Sequence, residues 1–162
     1  MGGGKLTDAF RFWASVASQE LPSWGALVQD STLRTLSAHE VAAYDMPFPS
    51  EQYKPATRVF PQLVPQSDAH MSVEENKGAY RRVLSRWTKP LLTLFSDSDP
   101  VSAGGEKFWK KIPGAKLPGI PHSILHGGHF IQEDAGEEIA RRMLQFMRDF
   151  PVEPPHNGHA RL

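Results

Sequence analysis

Apolar residues recur at helical spacing through the first half of the chain and gather into short continuous runs in the second. Phe10, Trp13, Ala14 and Ala17 fall at i, i+3, i+4 and i+7, one face of a helix from about Thr7 to Gln19 that Pro22 ends. Ser37 with Glu40 three places on predicts a capping box, opening a helix that carries Val41, Ala42 and Tyr44. That helix must stop before Met46-Pro47-Phe48-Pro49, because two prolines restrict their predecessors. A short helix is expected from Glu51 to about Phe60, with Pro61 and Pro65 behind it. Ser72 and Glu75 predict another capping box, followed by Tyr80, Val83 and Leu84 on one face. Nothing up to about Trp87 reads as a strand.

The second half differs. Pro90 to Phe95 is a short apolar run ending in Ser96-Asp97-Ser98-Asp99-Pro100, a buried strand feeding a polar loop. Glu106 to Ile112 predicts a turn or two of helix closed by Pro113-Gly114, and His122 to Leu125 a second strand ended by Gly127-Gly128. From Asp134 to Phe150, Ile139, Met143, Phe146, Met147 and Phe150 form one stripe, with Asp134 and Glu137 as the cap. Strand, helix, strand, helix is the repeating unit of a parallel α/β sheet. Two short parallel strands cannot bury both faces of such a sheet, so the sequence reads as the back end of something longer.

Composition narrows the classes. The 18 Lys+Arg balance 18 Asp+Glu, which removes any electrostatic reason to expect nucleic acid or an anionic membrane as partner. No apolar run approaches the roughly 20 residues of a membrane span. The first residues lack the apolar stretch of a signal peptide, and a cytoplasmic location is expected. With no Cys, thiolate nucleophiles, disulfides and cysteine-built metal sites are excluded. The 13 Gly and 14 Pro in 162 residues mean a chain built of short elements.

The candidate chemistry lies beyond the two strands. Asp99 follows the first and His129 the second, and functional groups in open α/β sheets sit beyond the carboxyl ends of strands. A carboxylate there would hold the imidazole in one tautomer and stabilise its protonated form, making the ring a general base. Gly127 and Gly128 are expected to let the chain bend tightly through positive φ. The plainer reading is that Asp99 caps a turn before Pro100 and His129 is a partly buried loop residue; the spacing alone favours it. Asp97 is a competing acid. His122, His126 and His129, with Glu133 nearby, are a weak metal-ligand set because the spacing is not helical, and no metal is expected. His156 and His159 fall in a tail expected to be solvated, while Arg81-Arg82 and Lys110-Lys111 are isolated basic pairs.

The stretches Phe95-Ser96-Asp97-Ser98-Asp99-Pro100-Val101-Ser102-Ala103-Gly104-Gly105 and Gly127-Gly128-His129-Phe130-Ile131-Gln132-Glu133 resemble the acid and histidine motifs of haloalkane dehalogenases, enzymes of the α/β-hydrolase superfamily. Tyr44-Asp45-Met46-Pro47-Phe48-Pro49 and Arg58-Val59-Phe60-Pro61-Gln62-Leu63-Val64 resemble that family's helical cap, and the likeness runs from about Ala9 to Phe150. The resemblance implies a partial α/β-hydrolase fold: a helical cap region over 1–68, the C-terminal part of the core over 69–150, and a flexible tail over 151–162. It implies hydrolysis of a carbon–halogen bond through an aspartyl ester, with no cofactor. By the same resemblance His129 is the base, Asp99 the orienting acid, and Trp13 of Phe10-Arg11-Phe12-Trp13 a halide-binding indole. Phe10, Phe60, Pro61, Val64 and Val101 fall where the family lines its apolar pocket.

The departure from the family concerns the nucleophile. No Gly-x-Asp-x-Gly or Gly-x-Ser-x-Gly elbow occurs in these 162 residues. The implied partners are a small haloalkane, a halide ion and an N-terminal half-protein. The chain is therefore expected to be inactive alone. The alternatives are a non-catalytic truncated or complementing fragment, or another α/β-hydrolase such as an epoxide hydrolase. An unpaired edge at Leu91–Phe95 further predicts an oligomeric, poorly soluble or partly molten chain.

Overall fold

A computed structural model describes residues 6–19, 23–65 and 67–151. Pro22 and the tail beyond Pro151 lie outside the described residues. The first helix, α1 (Asp8–Ala17), begins where Thr7, in extended conformation, accepts the Phe10 N–H at 3.0 Å, and it buries Phe10, Ala14 and Ala17. A helix not among those expected follows, α2 (Trp24–Asp30), capped by Ser23. Its start is held from across the fold. Asp45 accepts from the Ser23 hydroxyl and from the Trp24 and Gly25 N–H groups. Burial pushes the Asp45 carboxyl up, but those donors outweigh it and hold its pKa below the usual range. The capping box forms in full at α3 (Ala38–Asp45), between Ser37 and Glu40.

Three expectations need correction in this half. The helix expected to end at Phe60 is a 3₁₀ turn (Glu51–Tyr53) followed by α4 (Pro55–Leu63), and Pro61 lies inside α4 rather than behind it. Pro55 sits in the first turn, where its missing N–H costs nothing. Ser72 does not cap α5 (Val73–Arg82): its backbone is already helical and its hydroxyl meets His70 Nδ1 at 2.9 Å. Glu74 and Glu75 at the start of α5, with Arg81 and Arg82 at its end, instead match the helix dipole. Val83, expected on the buried face, is exposed. α2 packs on α3, and α1 on α4.

The second half holds two parallel strands, β1 (Leu94–Ser96) and β2 (Ser123–Leu125), in the register Leu94↔Ser123 through Ser96↔Leu125. Between them lie α6 (Glu106–Trp109) and a 3₁₀ turn (Pro113–Lys116), and after them α7 (Ile131–Asp149), which lies against β1. Both strands are shorter than the apolar runs. Extending the register backward places Leu92 opposite Pro121, which has no N–H to give the ladder. The His122 side chain takes over there. Its Nδ1 accepts the Thr93 N–H at 3.1 Å, and its Nε2 lies 2.7 Å from the Ala115 carbonyl.

The α7 stripe is left largely uncovered. None of its residues is fully buried, and Met143 and Met147 are 51% and 64% exposed. Ile124, in the middle of β2, is 58% exposed. The core gathers instead around Ile112, Ala115, Leu125 and Thr93, with a helical cluster of Ala14, Ala17 and Pro61. Among the described residues, no helix is long and apolar enough to cross a membrane.

Candidate functional site

Because β1 and β2 run parallel and in register, their following loops leave the same end of the pair. There the His129 Nδ1 meets Asp99 Oδ1 at 3.0 Å. Asp99 is 8% exposed, so the acid is largely withdrawn from water, whereas His129 keeps partial access. Burial pushes the Asp99 carboxyl up. Hydrogen bonds from the Ser102 hydroxyl, His129 and the Val101 N–H overcome that push and leave the pKa below the ordinary range. The acid is thus an anion at neutral pH, facing one imidazole nitrogen.

The base loop is fixed largely from outside itself. Both His129 and Phe130 donate their backbone N–H groups to the Ser31 carbonyl, at 2.9 and 3.3 Å. Asp134, expected to cap α7, instead accepts from Gly128 at 2.8 Å and from Leu33 and Arg34 across the fold. Phe130 precedes α7 without a side-chain cap, and the helix kinks at Ala135. Positive φ is not the reason for the glycine pair: among the described residues only Gly104 and Gly119 adopt it. Gly128 is needed for close approach, since a Cβ there would lie 2.4 Å from the Ser31 oxygen.

A second tie joins the same parts. Arg34 bonds Glu40 at 2.7 Å and Glu133 at 2.5 Å, and Tyr44 donates its hydroxyl to Glu133. The Arg34 guanidinium, with Ser37, holds the Glu40 carboxyl down at about 2, while the Glu133 contact raises the Tyr44 pKa. Ser31, Arg34, Tyr44 and Asp134 therefore position the loop that carries His129. No pattern in the sequence shows this role, because each reaches a partner 89 or more residues away.

The remaining candidates are more scattered. Trp13 is half-buried on α1, its ring 5.7 Å from that of Phe10. α1 reaches the acid loop at its start, where Thr7 donates its hydroxyl to the Val101 carbonyl at 3.1 Å. Pro61 is fully buried, Val64 and Val101 are half-buried, and Phe60 is 67% exposed. A cavity of about 290 Å³ opens beside Asp99, lined by Phe95, Ser102, Glu106 and Ile124 among others. None of Phe10, Trp13, Phe60, Pro61, Val64 or Val101 lines it. The three histidines do not converge. His122 is tied to Thr93, His126 Nδ1 meets Asp97 Oδ2 at 3.0 Å, and His129 meets Asp99. Among the described residues, no group of three or more His, Asp or Glu side chains is placed to hold a metal ion.

No family model matches the chain. Among curated proteins, the haloalkane dehalogenase of Psychrobacter cryohalolentis is 46% identical over 154 residues, covering 93% of this chain and 50% of that protein. The haloalkane dehalogenase of Mycobacterium marinum is 40% identical over 146 residues, 88% of this chain and 48% of its own length. Among solved structures, the tetrameric haloalkane dehalogenase DpaA from Paraglaciecola agarilytica superposes with a TM-score of 0.72 at 25% identity, over 90% of this chain and 48% of that one. Haloalkane dehalogenase DbeA from Bradyrhizobium elkani gives 0.66 at 24% identity, over 90% and 54%, a likeness of fold. The chain thus spans about half the length of the curated relatives it matches. In sequence and in fold it corresponds to the C-terminal portion of a haloalkane dehalogenase, a partial α/β-hydrolase fold.

Proposed function

We propose that this chain supplies the hydrolytic half of a haloalkane dehalogenase site, with His129 as general base and Asp99 as the acid that orients it. The observation that carries the reading is the 3.0 Å contact of His129 Nδ1 with a buried, anionic Asp99 at the carboxyl end of a parallel strand pair. With Nδ1 occupied, Nε2 keeps the lone pair that can take a proton from water. In the reaction, a carboxylate displaces halide from carbon and becomes an alkyl ester. Water deprotonated by His129 then attacks the ester carbonyl, releasing alcohol and regenerating the carboxylate. Asp99 stabilises the imidazolium formed in that step and does not take its proton.

The nucleophilic carboxylate in this reading comes from outside these 162 residues, whether on the same polypeptide or on another. Residues 1–68 act as the cap and 69–150 as the last part of the core, with 151–162 as a tail. Trp13 donates its indole N–H to the leaving halide, a donor that cannot act as a competing base. Phe10, Phe60, Pro61, Val64 and Val101 close an apolar pocket around a small haloalkane once the site is complete. The exposed Ile124, Met143 and Met147 favour completion by further strands and helices of the same fold.

The test is halide release from a bromoalkane by the chain alone and by the chain combined with the N-terminal half of the Psychrobacter cryohalolentis enzyme. Release is expected only from the combination. His129→Ala should then leave an alkylated protein, visible by mass spectrometry, because ester formation precedes the step that needs the base. Halide turnover by the chain alone that disappears in His129→Ala would place a nucleophile within these residues and overturn the reading.

A further inference from the structure

Two Asp–His contacts join the loops beyond β1 and β2. One is Asp99 with His129; the other, nearer the strands, is Asp97 with His126 at 3.0 Å. The parallel ladder does not stop at Ser96. Asp97 donates its N–H to the Leu125 carbonyl at 2.9 Å, and Ser98 donates to the Gly127 carbonyl at 3.1 Å. As the backbones part, the Asp97 side chain spans the gap: Oδ1 accepts the Gly127 N–H at 3.2 Å while Oδ2 faces His126 Nδ1. Beyond this point the base loop uses three residue steps, 126 to 129, where the acid loop uses two, 97 to 99. The extra step falls at the glycine pair, and the next cross-loop contact is Asp99–His129 itself.

We propose that Asp97 and His126 are positioning residues: their bridge carries the strand pairing into the loops and sets where the His129 imidazole meets the Asp99 carboxylate. The proposal rests on the reading of Asp99 and His129 as the catalytic pair. An exposed ion pair alone contributes little to stability. This one differs because the same carboxylate also answers a backbone N–H two residues before His129. His126 faces Asp97 on the acid loop and Asp134 on α7, and it lines a cavity with Arg34, Glu133, Glu137, Glu138 and Arg141. The hydrogen bond and charge of Asp97 raise the His126 pKa, while hydrogen bonds from His126, the Ser98 hydroxyl and the Gly127 N–H hold the Asp97 carboxyl at about 2. The bridge is therefore charge-assisted at acid pH and weakens as His126 loses its proton.

The measurement is NMR of the His129 ring in the full chain, following the Nδ1 proton bonded to Asp99 and its exchange with water. In Asp97→Ala that exchange is expected to rise about tenfold, the loss of one ordinary hydrogen bond. In the parent, exchange should show an additional inflection as His126 titrates. His126→Asn, whose amide nitrogen can stand in for Nδ1, should keep the slow exchange but lose the inflection; His126→Ala should lose both. Should Asp97→Ala fail to fold, the two His126 variants decide the matter alone. An Nδ1 proton equally protected in the parent and in either alanine variant overturns the positioning role while leaving the catalytic pair intact. A parent in which that proton is never protected overturns both.

Discussion

The Asp134 carboxylate accepts backbone N–H groups from Gly128, Leu33 and Arg34, so one side chain ties the base loop to a segment a hundred residues earlier. Burial alone would raise its pKa, but these three donors keep it below the usual range. Asp134→Ala leaves them without their acceptor and should cost about 2 kcal/mol, read as a lower denaturant midpoint. Asp134→Asn, which keeps an acceptor oxygen, should recover part of that loss. At this scale the meeting of Asp99 and His129 was legible and the scaffolding was not. Asp99 and His129 stand out because each follows a strand, Asp99 just before Pro100 and His129 just after a glycine pair. Asp134 mimics a helix cap in sequence, and only the folded chain shows what its oxygens reach.

Helices with a local start signal match their sequence pattern best. Thr7 and Ser37 cap α1 and α3 through their own neighbours, so both were readable from a few residues. α2 has a local cap in Ser23 but is also held by Asp45, some twenty residues away, and its apolar spacing, Trp24, Leu27 and Val28, is too short to announce it. It also lies against α3 at a distance only glycine permits, since a Cβ on Gly25 would fall 2.1 Å from the Val41 oxygen. Gly25→Ala should therefore force the two helices apart and cost about 2 kcal/mol, whereas the same change at open Gly136 should cost little. Matched thermal melts of the two variants check this; equal losses would mean that the α2–α3 contact is less close. The strands were foreseen in place and direction but not in length, because Pro121 denies the ladder a donor that apolar runs do not reveal.

Over the whole molecule, among the described residues, hydrogen bonds lower the pKa values of Asp45, Asp99 and Asp134, as they do those of Glu40, Asp97 and Glu138. A group whose folded pKa is depressed adds stability above its unfolded value near 3.8, and that stability is lost as pH falls through the folded value. The urea midpoint should hold steady from neutral pH down to about pH 5 and then fall between about pH 4 and pH 2. Asp134→Asn should shallow that fall. A midpoint flat through the acid range would mean the carboxylates gain nothing on folding. The exposed apolar residues of β2 and α7 act at the same scale. They favour self-association in the absence of covering structure, and sedimentation at rising concentration should show the mass increase.

The Ser31 carbonyl receives two consecutive amides of the base loop, and the Gly128 backbone fits beneath it with no room for a side chain. The early helical region is therefore part of the mould in which the histidine loop is cast. Grafting a foreign helical region onto this scaffold would have to import residues 31–34 unchanged. A chimera that ignored them would unsettle the loop that carries His129.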